Sequence, residues 1–290
     1  RVYERSIDCT VADSHIVAIN RRYFPELTVE FDLSEARELV WVMPRGADEL
    51  ASEVRSWLAS PEAAEVLAAV QERYFSFVDL YDYVDLREFL RRIDSRYPSL
   101  ASLFAASAAE HDLDPILLAA QAYQESHWNA KARSPTGVRG IMMLTLPTAK
   151  AMGVASRLDP AQSIRGGARY LERMRERVGA DVAEPDRTYL ALAAYNVGFA
   201  HLRDAQSLAE LRGLDPTSWA DDRSVLPLLS DPDVYKDLPY GYARGREPVR
   251  YVERIRNYAD VLAAKLAAPD VAESAATIEA PDAGVTKDER

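Results

Sequence analysis

The residues best suited to chemistry are Gln124-Glu125-Ser126-His127-Trp128-Asn129, which close an apolar stretch just before a Ser/Gly-rich turn. Glu125 is the candidate for the residue that performs the chemistry. The stretch leading to it, from Pro115 through ILLAAQAY, is apolar nearly all round, and such a helix is buried. Glu125 falls near the end of that helix, where the macrodipole disfavours negative charge. Burial disfavours the carboxylate as well. Both effects raise the pKa, as a general acid requires. Taken alone, a glutamate at a helix end reads more readily as a solvated surface residue, so its neighbours must decide.

Three later stretches supply neighbours. They are SPTGVRGIMMLT (Ser134–Thr145), AAYNVG (Ala193–Gly198) and YVERIRNY (Tyr251–Tyr258). Each has a plain structural reading. Ser134 precedes Pro135 as turn serines do, Met142 is a natural core filler, Tyr195-Asn196 closes a helix, and Tyr251 or Tyr258 is a core aromatic. Gly137 and Gly140 suit a turn or a close backbone approach. The four histidines show no paired metal-ligand spacing. No serine sits in a GxSxG context, and no Gly-rich phosphate loop is present. No metal or cofactor is implied.

The elements that must position these groups divide the chain in two. At 290 residues, about two domains are expected. HIVAI (His15–Ile19), LTVEF (Leu27–Phe31) and ELVWVM (Glu38–Met43) read as short strands. Helical patterns follow over 48–58 and from Pro61, so residues 1–80 resemble part of an α/β domain. Beyond Asp82 the pattern is helical. Asp114-Pro115 and Asp159-Pro160 each place an N-cap before a proline at the first helical position. Asp186 is placed to cap RTYLALAAYNVG, and Pro248–Ala268 forms a long amphipathic helix. The segment 215–245, Pro-rich and weakly periodic, reads as a loop excursion at a groove. The expected organisation is therefore α+β: an α/β part over 1–80, a linker helix over 81–96, an all-α domain over 97–268, and a disordered tail over 269–290.

A net charge of −11 argues against a nucleic-acid partner, which needs a basic face. One cysteine, Cys9, excludes an intrachain disulfide and reads as a small buried hydrophobe. No run approaches the ~18 apolar residues of a membrane span.

The four stretches, in order, resemble the lysozyme-like lytic transglycosylases of family 1: a Glu-Ser motif, a Gly-Leu-Met-Gln-like motif, an Ala-Tyr-Asn motif and a late tyrosine. This chain departs from that pattern at Met143, which stands where most of the family has Gln. The double Met resembles a branch of the family in which a periplasmic solute-binding-like domain precedes the catalytic one. The resemblance implies a lysozyme-like (goose-type) helical domain after a partial periplasmic-binding-protein-like domain. It implies non-hydrolytic cleavage of the β-1,4 bond from N-acetylmuramic acid to N-acetylglucosamine in peptidoglycan, giving a 1,6-anhydro product, with Glu125 as acid and then base. Ser134 would hydrogen-bond Glu125 or the sugar, and Met142 would pack on a sugar face beside Met143. Tyr195 would aim its hydroxyl at the reacting centre and Asn196 would brace the site or bind substrate. Tyr251 would be the late tyrosine, with Tyr258 as its rival. Partners would be glycan strands and muropeptides in the periplasm, with peripheral outer-membrane association through segments outside this chain. A hydrolytic lysozyme and a muropeptide-binding sensor with an inactive glycan-binding domain are the alternatives.

Overall fold

The computed structural model describes residues 2, 5–21, 23–24, 27–35, 40–75 and 83–267. Among these residues the structure is helical, with no strand. The expected disordered tail, 269–290, lies outside the described residues. Thirteen α-helices are present among the described residues. The first three are α1 (Ser14–Arg21), α2 (Asp48–Leu58) and α3 (Pro61–Phe75). The remainder are α4 (Tyr83–Ser95), α5 (Ala101–Glu110), α6 (Pro115–Ser126), α7 (Leu146–Ala151), α8 (Pro160–Val178), α9 (Asp186–Val197), α10 (Phe199–Leu211), α11 (Trp219–Val225), α12 (Pro232–Tyr235) and α13 (Arg246–Ala267).

None of the three expected strands is formed among the described residues. His15–Ile19 lies within α1. The described parts of the other two, 27–31 and 40–43, are irregular and largely exposed. Val29, Phe31, Val40, Trp41 and Val42 all face solvent. A strand needs a neighbour to take its backbone hydrogen bonds, and no described segment runs beside these. Cys9 is exposed rather than buried, because no core is built around residues 5–13.

The core belongs to α4–α13. Leu86, Phe89 and Ile93 of α4 join Phe104 of α5, Leu118 and Tyr123 of α6, and Tyr258 and Leu262 of α13 in one buried cluster. The expected linker helix is thus packed into the helical body. Phe89 meets Tyr123 at 4.3 Å and Tyr258 at 4.6 Å between ring centroids, and Tyr123 meets Trp128 edge-on at 4.9 Å. Such tilted pairs add to the area each ring buries, and they pin α6 between α4 and α13.

The Asp-Pro devices behave as their chemistry requires. Asp114 Oδ1 accepts from the Ile116 N–H at 2.7 Å, and Asp159 Oδ1 accepts from the Gln162 N–H at 2.8 Å. Asp186 does not cap its own helix. Its Oδ1 accepts from the Trp219 N–H at 2.9 Å, which ties α9 to α11. The segment 215–245 is more ordered than its composition suggests. It folds into α11, a 3-10 turn at Leu226–Ser230 and α12, anchored by fully buried Trp219, Leu226 and Leu229.

Asp222 of α11 is fully buried, and neither carboxyl oxygen has a hydrogen-bond partner. Burial, helped by nearby Asp221 and Asp215, pushes its pKa up to about 8. A carboxyl that binds its proton more tightly when folded lowers stability as pH rises from the unfolded value toward the folded one. Asp222→Asn should therefore flatten the loss of stability between about pH 4 and pH 8. Urea denaturation across that range checks it, and an unchanged slope would count against the buried acid.

Candidate active site

Glu125 sits on the last turn of α6. The helix is stopped by His127 and Trp128, both in the left-handed region at φ 52° and 56°. The Trp128 indole N–H donates back to the Ala119 carbonyl at 2.8 Å, which buries the ring under the turn. Ser126, beside the acid, ties this helix end to the following loop. Its hydroxyl lies 2.8 Å from the Ile141 carbonyl and 3.2 Å from that of Ala122, and accepts from the Asn129 N–H at 3.1 Å.

The 132–145 loop is shaped around one glycine. Gly140 has φ 85°, and a Cβ there would lie 1.7 Å from the Arg157 carbonyl oxygen. Arg157 also crosses beneath the loop, donating from Nη1 to the carbonyls of Gly137 and Leu144, each at 2.9 Å. Ser163 Oγ of α8 accepts from the Met142 N–H at 3.3 Å. Met142 then fills the space left by Gly167 of α8, where a Cβ would sit 2.7 Å from its side chain.

Glu125 faces two tyrosines. The Tyr251 hydroxyl, from α13, donates to Glu125 Oε1 at 2.6 Å. The Tyr195 hydroxyl, from the end of α9, donates to the Met142 carbonyl at 3.1 Å, and its ring meets Tyr170 edge-on at 5.0 Å. Burial raises the Glu125 pKa to about 7, against the pull of the Tyr251 hydrogen bond, and no charged side chain perturbs it. Burial first, and then the Glu125 charge, pushes both phenols well above their usual range. A carboxyl that gains or loses its proton near neutrality can serve in either direction of proton transfer.

Four of the expected residues meet here, though not all by their side chains. Glu125 and Tyr251 touch directly, and Tyr195, close enough to feel the Glu125 charge, donates to the Met142 carbonyl. Tyr258, the rival late tyrosine, is a core aromatic instead. The Met142 side chain is fully buried and cannot lie on a sugar face. Met143, half-buried at φ 45°, is the methionine turned away from the core. Ser134 makes its side-chain hydrogen bond to Thr136 at 2.8 Å rather than to Glu125, because it stands at the loop tip. Asn196 is exposed at the end of α9. Gln121, Arg157 and Ser163 were not singled out by the sequence. Gln121 could have been, as a polar residue one turn before Glu125 in an otherwise apolar helix.

Among the described residues, no group of His, Cys, Asp and Glu is arranged to hold a metal. No described helix is long and apolar enough to cross a membrane.

Residues 102–213 match the family model described as the transglycosylase SLT domain. Across most of its length the chain is similar to proteins named membrane-bound lytic murein transglycosylase F. It is 54% identical to one such protein, numbered 2, from Alkalilimnicola ehrlichii over 261 residues, 90% of this chain and 58% of the relative. It is 52% identical to that of Shewanella loihica over 88% of this chain and 54% of the relative. It is 48% identical to that of Pseudomonas fluorescens over 90% and 54%. The chain thus spans little more than half the length of these relatives. A solved lytic transglycosylase Slt from Pseudomonas aeruginosa, an inactive mutant, aligns with 77% of this chain and 31% of its own at a TM-score of 0.40 and 22% identity.

Two outcomes follow from the geometry. Gly140→Ala should cost about 2 kcal/mol or more, read by urea denaturation, since backbone rather than a flexible side chain blocks the added carbon. Tyr251→Phe removes the donor that favours the Glu125 carboxylate, so the Glu125 pKa should rise further, visible by carboxyl NMR titration.

Proposed function

We propose that this chain carries the catalytic part of a peptidoglycan lytic transglycosylase, with Glu125 as its acid and base. The observation that carries the reading is one half-buried carboxyl, its pKa raised to about 7, which among the described residues takes a side-chain hydrogen bond from Tyr251. A hydrolytic glycosidase ordinarily pairs its acid with a second carboxylate. No second carboxylate perturbs Glu125. The SLT domain and the transglycosylase names of the relatives support the same assignment.

In this reading, protonated Glu125 gives its proton to the glycosidic oxygen between N-acetylmuramic acid and N-acetylglucosamine as the C1–O bond breaks. The 2-acetamido group stabilises the positive centre, as in substrate-assisted glycosidases. The Glu125 carboxylate then takes the proton of the muramyl 6-hydroxyl while that oxygen bonds to C1. The product is a 1,6-anhydro ring, and no water is consumed. Tyr251 steadies the carboxylate between the two steps. In this reading Tyr195, Met143 and the exposed Asn196 would meet the glycan.

We place the reaction in the periplasm, where murein lies. Attachment to the outer membrane would run through segments outside this chain, consistent with the relatives' description as membrane-bound. We read residues 97–268 as the catalytic body in a lysozyme-like arrangement. Residues 1–80 would be the end of a solute-binding-like domain. The exposed apolar runs at 27–33 and 40–43 fit strands whose partners lie elsewhere.

Mass analysis of products from intact sacculi tests the reaction. The expected products are muropeptides one water lighter than hydrolysed ones, abolished in Glu125→Gln. Reducing-end muramic acid alone would sink the transglycosylase reading. Equal, negligible release by wild type and Glu125→Gln would favour a binding module.

A further inference from the structure

Gln121 lies one turn before Glu125 on α6, and side chains four apart share a helix face. It is fully buried in a helix that is otherwise apolar through Tyr123. Its Nε2 donates to the Tyr251 hydroxyl at 3.2 Å, and the same hydroxyl stands 2.6 Å from Glu125 Oε1. Its Oε1 is buried with no hydrogen-bond partner. An unpaired buried acceptor is destabilising, so an apolar side chain would suit this position better for folding alone.

We propose that Gln121 is a positioning residue: by donating its amide N–H to the Tyr251 hydroxyl, it commits the phenol proton to Glu125 Oε1 and leaves Oε2 as the oxygen that exchanges a proton with substrate. The inference rests on the reading of Glu125 as the acid. Proton count carries the argument. A phenol has one proton to donate and can also accept. An ionised carboxylate only accepts, so the short contact to Oε1 must use the phenol proton. The contact to Gln121 can then run only from the amide, which orients its carbonyl toward the unpartnered side. Tyr195, the other titratable group facing Glu125, donates to the Met142 carbonyl and does not compete.

The relay matters most between the two steps. After Glu125 gives up its proton, the phenol must already point at the carboxylate. Without the amide, the hydroxyl is free to turn and accept from protonated Glu125 Oε1. That favours the neutral acid and engages the proton meant for the glycosidic oxygen.

The test is Gln121→Met, which keeps an unbranched side chain of similar length and removes the donor. The Glu125 carboxyl is titrated by carbon-13 NMR, beside the pH profile of kcat on sacculi. The expected result is a pKa raised by about half to one unit, with the alkaline limb moving up by the same amount. KM should stay unchanged and the melting temperature unchanged or higher. In a Tyr251→Phe background, Gln121→Met should no longer shift the titration. A folded Gln121→Met whose Glu125 titration superimposes on wild type overturns the proposal. So does a shift that persists in full without the Tyr251 hydroxyl. Should Gln121→Met not fold, Gln121→Glu decides: a second acceptor should draw the phenol proton away and raise the Glu125 pKa, and an unchanged titration overturns the proposal. The NMR titration needs no turnover. A wild type that releases no anhydro product would defeat the functional reading while leaving the relay to be judged on its own.

Discussion

The packing of α6 against α13 is the constraint on which the rest depends. It half-buries Glu125 and sets the Tyr251 hydroxyl against its carboxyl. Burial alone would raise the acid further, and a cationic partner would pull it down. A neutral phenol is the intermediate choice. It favours the carboxylate enough to hold the pKa near 7 without fixing the proton in either state. The helix pair must stay close for this to hold. The aromatic cluster of Phe89, Tyr123, Trp128 and Tyr258 supplies that closeness from below.

The loop after the acid is subject to the same economy. Arg157, Ser163 and Ser126 hold it from three sides through backbone atoms. Backbone contacts leave the loop's side chains free for other uses, and they explain why Gly140 and Gly167 are small. One lets a carbonyl approach the chain, and the other lets Met142 sink into α8. Fixing the Met142 carbonyl in turn fixes Tyr195, because the phenol donates to that oxygen. The site is thus held by contacts that a side-chain motif does not display.

Legibility in the sequence follows this division. Elements set by local chemistry were readable: α2 and α3 begin and end where the helical patterns place them, and Asp114 and Asp159 cap as their Asp-Pro neighbours imply. Elements set by distant partners were not. LTVEF has a strand composition but no described neighbour to complete a ladder. Asp186 has a capping position but spends its carboxylate on α11. Within the site, the motifs pointed to the ends of α6 and α9 and to α13, and the structure packs α13 against both of the others. The division of labour between Met142 and Met143 was not, because it turns on a left-handed residue that reverses which methionine faces the core. Ser134 was misplaced for a similar reason, since loop geometry and not spacing decides its hydrogen bond. Gln121 escaped because its role appears only when α13 is laid beside α6.

A single carboxyl that acts first as acid and then as base meets conflicting demands. The first step favours a proton held loosely, and the second favours a carboxylate that wants it back. Brønsted behaviour resolves the conflict with a pKa close to the working pH, where neither transfer is strongly uphill. Glu125 reaches that value by opposing burial to one neutral hydrogen bond, with no second charge involved. A nearby carboxylate would raise the pKa of the acid and could also activate water, opening the hydrolytic route. A nearby cation would trap the carboxylate after the first step. An enclosure of tyrosine, methionine and backbone does neither, and so suits a reaction in which the nucleophile comes from the substrate itself.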